Sequence, residues 1–197
     1  MNDNRRPTLA ATLWPQHAAS RIARFAALAI GGALALALSA KTQVPFYPVP
    51  MTLQTLVVLA IGAAFGARLA AATVALYLAE GLMGLQVFAG ASAGPGYMAG
   101  PTGGYLAGFL VAAGLVGWLA ERGWDRSLGW LLAAMVLGHF AIFACGFAWL
   151  AILFGPAKAW LVGVVPFLAA DVVKTLLAWA LVAAAWRGVA ALGGPNA

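Results

Sequence analysis

A chain of 197 residues that is 64% hydrophobic and only 8% charged cannot clothe itself in polar surface; an ordinary soluble domain is roughly 45–50% apolar and about 25% charged. That composition excludes a soluble enzyme, a nucleic-acid-binding domain and a disordered chain, and the net charge of +6 does not reopen the second, because the basic residues are scattered between apolar runs. A single cysteine, Cys145, excludes an internal disulfide and a cysteine zinc cluster, and the two distant histidines, His17 and His139, point away from any metal site.

The size fits one helical membrane domain. A spanning helix needs about 20 apolar residues, and six runs qualify as candidates, over 22–40, 51–66, 69–88, 102–120, 128–154 and 159–186. Residues 1–21 form a hydrophilic N-terminal segment, 22–187 the membrane domain and 188–197 a C-terminal tail. The first run is longer than a signal-peptide core and follows a hydrophilic stretch, so it reads as a retained helix. The second is short for a full span. The last two are long enough to tilt.

Three connections fall on one side. Lys41 to Pro50 reads KTQVPFYPVP, where Pro45, Pro48 and Pro50 forbid helix and favour a stiff extended path. Phe46 and Tyr47 within it are either interfacial anchors or part of a lid over a ligand pocket. Ala89 to Pro101 carries Gly90, Gly94, Gly96 and Gly100, and a loop of that length is more often functional than merely connective. The third, Gly155 to Lys158, is short. Arg5, Arg6, Arg21, Arg24, Arg68, Arg122, Arg126 and Arg187 all fall on the opposite side, with Lys41 and Lys158 facing them across the membrane. The positive-inside rule then places both termini in the cytoplasm.

The first run carries Ala23, Ala27 and Gly31 at spacing four, and beside them Ala29, Ala33 and Ala37. Such ridges serve close packing within a bundle or docking of another membrane subunit. No repeated half is visible, so an inverted-repeat carrier has no support.

Charge inside a span is costly and marks function by default. The last run contains Asp171 and Lys174, three apart and so on one helix face. They can be a self-neutralising structural pair or a clamp for a ligand. Aspartate offers acceptors only and lysine donors only, which together match a planar urea or amide. Thr52, Gln54 and Thr55 at the start of the second run read as caps and inter-helix hydrogen-bonding groups. Gln86, His139 and Cys145 read as packing residues, and Glu80 is left without a role. There is no GxxxxGK[ST] loop, no GxSxG elbow and no HExxH motif.

The runs VPFYPVPMTLQTL (44–56), GLQVFAG (84–90), GPTGGYLAGF (100–109) and DVVKTLLA (171–178) resemble, in order and spacing, the BioY family. These are the biotin-binding membrane subunits, or S components, of energy-coupling-factor vitamin transporters. The resemblance covers about residues 25–187, with Gln86 standing where such proteins typically have proline. It implies an all-α, six-helix S-component fold in a bacterial cytoplasmic membrane, with the vitamin held near the outer face. It implies a transmembrane coupling subunit and two cytoplasmic ATPases as partners, and neither cofactor nor covalent step. Lys174 would donate to the ureido oxygen and Asp171 accept a ureido N–H. Phe46, Tyr47, Phe88, Tyr97 and Tyr105 would enclose the rings, with Gln54 a further polar contact. The backbone around Gly103 and Gly104 would meet the tail carboxylate, and Thr102 would cap its helix or touch the ligand. Spacing-four small residues contact the coupling subunit in related S components, so Ala23, Ala27 and Gly31, or the parallel Ala29, Ala33 and Ala37, are the matching candidates. An S component for another vitamin is the main competing reading. An intramembrane enzyme using Asp171 and Lys174 as acid and base lacks a nucleophile.

Overall fold

A computed structural model describes residues 6–14 and 21–192; Arg5, His17 and the last five residues lie outside them. Nine α-helices are described: α1 (Leu9–Leu13), α2 (Arg21–Lys41), α3 (Gln54–Phe65), α4 (Ala67–Leu82), α5 (Pro95–Ala99), α6 (Gly103–Ala120), α7 (Leu128–Phe154), α8 (Pro156–Gly163) and α9 (Leu168–Ala191). Between α2 and α3, β1 (Gln43–Val44) pairs antiparallel with β2 (Met51–Thr52), Gln43 opposite Thr52 and Val44 opposite Met51. The prolines of this connection therefore sit in and beside the tip of a small hairpin, with a cis Tyr47–Pro48 bond, rather than in an extended strut.

The six expected runs differ from the described helices in two places. Among the described residues, α2, α6, α7 and the stretch Pro156–Ala191 are long and apolar enough to cross a bilayer by length and composition. Helix α3 has 12 residues, about 18 Å at 1.5 Å per residue, and α4 has 16. The short α3 is sheltered from its surroundings, with Val58, Leu59 and Ala63 wholly buried. The last run is also not one helix. Pro166 lacks an N–H and crowds the preceding turn, so Val165–Phe167 form a 3-10 turn and α9 starts afresh at Leu168. The glycine-rich connection likewise is not structureless, since Pro95–Ala99 form a helical turn within it.

Glycines let the central helix α6 touch its neighbours at backbone distance. A Cβ on Gly108 would lie 2.9 Å from the Ile142 Cα of α7, and one on Gly117 would lie 2.5 Å from the nitrogen of Ala67, the first residue of α4. On α2, Ala29 and Ala33 are buried and a Cβ on Gly32 would strike Thr73 of α4 at 2.5 Å. The other face of α2, with Ala23, Ala27 and Gly31, is exposed.

The two ends of the bundle differ in charge. Helix α7, about 40 Å long at 27 residues, separates them. At its start, Arg6, Asp125, Arg126 and Arg187 line one cavity. The Arg6 amide donates to the Glu121 carbonyl at 2.8 Å, and the Glu121 carboxylate accepts from the Ala67 amide at 2.9 Å. The Trp186 indole donates to Asp125 at 3.1 Å, the Arg126 guanidinium lies 3.6 Å above the Trp186 ring, and burial pushes the Asp125 carboxyl up to about 6. Part of the N-terminal segment belongs to this end: α1 buries Leu9 and Ala10, with Leu9 in one cluster with Leu59 and Ala63 of α3. Lys41 and Lys158 lie at the other end.

The two glycines of α6 make a paired test. Gly117→Ala forces a methyl into backbone atoms and lowers the thermal midpoint of the detergent-purified protein, at an overpacking cost of about 1–3 kcal/mol. Gly114→Ala, where nothing lies within 4 Å, leaves the midpoint unchanged or raises it slightly.

Candidate functional site

The break at Pro166 creates the site. Because α9 restarts at Leu168, Asp171 falls in its first turn, where the helix dipole favours an anion. Lys174, one turn on, places Nζ 2.6 Å from Asp171 Oδ1, and both residues are 6% exposed. Thr55 of α3 donates to the same oxygen at 3.3 Å. Thr175 donates to the Asp171 main-chain carbonyl at 2.6 Å and sits 2.7 Å from His139 Nδ1 of α7. Among the described residues, three helices thus converge on one carboxylate.

This cluster forms the polar end of a cavity of about 50 Å³. Tyr105, Leu106 and Phe109 of α6 make one wall, Ile142 and Phe143 of α7 another. Phe167 closes it beside the pair, and Val49 and Pro50 of the hairpin cover it. The Tyr105 hydroxyl donates to the Gly163 carbonyl of α8 at 2.5 Å, which holds its ring edge against Gly146. On the far side Gln54 is fixed by three contacts. Its side-chain nitrogen donates to the Tyr77 hydroxyl at 2.7 Å, its side-chain oxygen accepts from Thr52 at 3.0 Å, and its amide donates to Thr52 Oγ1 at 3.3 Å.

Of the residues expected from sequence, Gln54, Tyr97, Thr102, Tyr105, Asp171 and Lys174 line this cavity. Phe88 stands one layer behind, fully buried, stacked on Tyr97 at 5.2 Å and edge-on to Tyr77 at 5.6 Å. Phe46 packs on Phe167 at 6.2 Å from outside the cavity, and Tyr47 is 94% exposed at the hairpin tip. Gly103 and Gly104 are packing glycines: a Cβ would meet the Met98 carbonyl on the first and Trp149 on the second. The sequence reading passed over Phe109, Phe143 and Phe167 and set His139 aside. Phe109 was findable as the residue one turn beyond Tyr105; Phe143 and Phe167 lacked any signal separating them from the many apolar residues around them.

The roof is tied down by a single cation. Lys41, the last residue of α2, gives its ammonium to the main-chain carbonyls of Gln86, Phe88 and Gly90, the last two at 2.9 and 2.6 Å. Lys41→Met releases this segment, and hydrogen–deuterium exchange of residues 86–94 accelerates while that of α6 and α7 does not.

A sequence model described as the BioY family matches residues 10–191. A protein of Pyrococcus horikoshii named "Probable biotin transporter BioY" is 36% identical over 159 residues, covering 81% of this chain and 90% of the relative. "Biotin transporter BioY" of Thermotoga maritima is 39% identical over 144 residues, covering 73% and 84%. Among solved structures, the S-component for biotin from an ECF-type ABC transporter shares the fold with a TM-score of 0.76 at 23% identity, over 85% of this chain and 93% of that one.

Proposed function

The chain belongs to the BioY family, and from that premise we infer that it binds biotin and serves as the substrate-recognising subunit of an energy-coupling-factor transporter. The family is one of transporters, and the role asked of this chain is binding without chemistry. The observation that carries the reading is the buried Asp171–Lys174 pair facing an aromatic-walled cavity. Biotin joins a planar ureido ring to an apolar thioether ring and a carboxylate tail. Lys174 donates to the ureido oxygen, and Asp171 accepts a ureido N–H. Tyr97, Tyr105, Phe109 and Phe167 enclose the rings. The tail carboxylate runs toward the start of α6, where helix amides lack partners within the helix. The Gly103 amide is already given to the Gly100 carbonyl at 3.1 Å, which leaves the Thr102 hydroxyl and the Gly104 amide.

Ligand pockets run to roughly 300–1,000 Å³, so a cavity of about 50 Å³ is a contracted form that biotin must open. The covering segments are the hairpin with Val49 and Pro50 and the connection that Lys41 holds, whereas the helical walls are locked by backbone-close packing.

We place both termini in the cytoplasm of a bacterial cell, with α2, α3, α4, α6, α7 and the α8–α9 unit as the six transmembrane elements. The gathering of Arg6, Arg126 and Arg187 at one end, opposite the cavity and Lys41, supports that orientation. Ala23, Ala27 and Gly31 are the better candidates for contact with a coupling subunit, because they face outward while Ala29 and Ala33 are buried against α4. Substitution of Ala27 and Gly31 by Trp abolishes co-purification with the coupling subunit and leaves biotin affinity of the isolated chain unchanged.

Calorimetry on the detergent-purified chain tests the central claim. The parent binds biotin, and a panel of other vitamins does not compete. Asp171→Asn and Lys174→Ala each weaken binding roughly ten- to a hundredfold, since a hydrogen bond to a charged partner is worth about 1.5–3 kcal/mol. Normal binding by both folded variants would remove the pair from the site.

A further inference from the structure

The biotin reading makes no use of the cavity of about 410 Å³ at the end of the bundle where α7 begins, which Arg6, Arg126 and Arg187 line together with Asp125. Two of these four groups are spent on each other and on their surroundings. Asp125 is buried, accepts from the Trp186 indole at 3.1 Å and lies 3.9 Å from Arg126 Nε. Arg126 also donates to the Pro7 carbonyl at 2.9 Å and covers the Trp186 ring. Arg6 and Arg187 are different. Both are exposed, and among the described residues neither guanidinium pairs with a carboxylate. The Arg6 side chain is laid across the turn after α6, where Gly123 has φ +87° and a Cβ would come within 2.9 Å of Arg6 Cδ. Three arginines against one aspartate leave the cavity a formal charge of +2.

This end also carries the marks of a headgroup level. Trp118 and Trp130 are exposed, Trp124 packs on Trp130 at 4.6 Å, and the Trp179 indole donates to the Leu128 carbonyl at 2.8 Å. Tryptophans gather where the bilayer meets water, and a basic pocket between spanning helices at that level suits an anionic headgroup. Deeper in, α7 and α9 keep an apolar seam. Leu128 and Ala183 line the arginine cavity, while Leu132 and Val136 of α7 with Leu176 and Val172 of α9 line a second cavity of about 220 Å³. The steps are four and four along α7, and seven and four along α9, so each set lies on one helix face. Leu128 to Val136 spans about 12 Å at 1.5 Å per residue, within the roughly 15 Å of hydrocarbon that one leaflet contributes.

We propose that this end binds one anionic phospholipid, its phosphate held by Arg6 and Arg187 and one acyl chain laid along the α7–α9 seam. A free phosphate would use only the charge. Phosphatidylcholine would bring its own cation into the field of the guanidiniums. An anionic phospholipid uses both the charge and the seam. Arg126 acts here as a positioning residue, since its contacts with Asp125, Pro7 and Trp186 shape the cavity wall. The site lies at the opposite end of the bundle from the aromatic-walled cavity and stands whether or not biotin is the ligand there.

Native mass spectrometry and thermal midpoints of the delipidated, detergent-purified chain read the site. Phosphatidylglycerol binds one to one and raises the midpoint. Phosphatidylcholine of the same chain length and glycerol 3-phosphate, each at the same concentration, do neither. Arg6→Gln combined with Arg187→Gln weakens phosphatidylglycerol binding about thirtyfold, roughly fivefold for each arginine beside an anionic headgroup, and leaves the lipid-free midpoint where it was. Arg21→Gln combined with Arg68→Gln removes the same charge from exposed positions outside the cavity and binds as the parent does. Val136→Trp, at an exposed position, fills the seam and weakens binding with both arginines in place. Equal binding of phosphatidylcholine, equal stabilisation by glycerol 3-phosphate, or as large a loss in the Arg21 and Arg68 double variant overturns the phospholipid site. Unchanged binding by Val136→Trp overturns the path of the chain. Biotin calorimetry on the same samples reads the other cavity separately, so either reading can fail without the other.

Discussion

Placing an ammonium and a carboxylate inside an apolar bundle costs several kcal/mol per ion even after relaxation, and the surroundings of Asp171 and Lys174 are arranged around that cost. The pair is close, at 2.6 Å. Pro166 restarts the helix so that Asp171 occupies its first turn and faces the favourable end of the dipole. Thr55 reaches across from α3, and Thr175 ties the same residue's carbonyl to the His139 ring. A pair kept only for stability could be exchanged for apolar side chains of like volume with little loss. This one sits where a cavity ends, with complementary donor and acceptor groups already desolvated. A ligand that presents both complements spends little further desolvation to bind.

Around that fixed pole the structure divides into a rigid floor and a lightly held roof. Helices α6 and α7 approach at backbone distance through Gly104 and Gly108, and Tyr105 is wedged against Gly146 and bonded to Gly163. None of these can move without opening packed interior. The roof is different in kind. The hairpin contributes two residue pairs of strand, and the connection after α4 is held by carbonyl bonds to Lys41 and by the stack of Phe88 on Tyr97. Phe88 in turn abuts Tyr77, whose hydroxyl links Gln54 to the Val87 carbonyl. A continuous chain of contacts thus joins the roof to Gln54, a cavity-lining group.

Much of this was legible in the sequence for reasons that can be named. Asp171 and Lys174 stand out because charge within an apolar run has few cheap explanations. Tyr97, Thr102 and Tyr105 came through the resemblance, carried by GPTGGYLAGF and the glycine-rich loop before it. Other features were hidden by their very commonness. The two alanine ridges of α2 are indistinguishable by spacing; only packing reveals that Ala33 faces α4 and Gly31 faces outward. Pro166 was passed over because hydropathy averages across it, yet it decides where α9 begins. Gly103 and Gly104 read from the resemblance as ligand-facing amides; that the Gly103 amide is given to the Gly100 carbonyl, and that Met98 and Trp149 fill the space a Cβ would take, depends on packing that spacing does not reveal. His139 looked like a lone packing histidine because its partners, Asp171 and Thr175, lie more than thirty residues away in sequence.

The asymmetry of the two ends then constrains how such a chain works. The cavity lies at one end of the bundle and the arginine-rich cluster at the other, with α7 spanning the distance. Helix α2 presents two distinct faces. Its exposed face carries Ala23, Ala27 and Gly31, small enough for a partner helix to approach closely. Its buried face packs Ala33 and Leu36 into the core, and its last residue holds the roof through Lys41. The same 21-residue helix turns mostly small residues, Ala29, Gly32, Ala33 and Ala40, toward the core beside Leu36, leaves Ile22, Ile30, Leu34 and Leu38 exposed, and carries at its end the lysine that holds the roof.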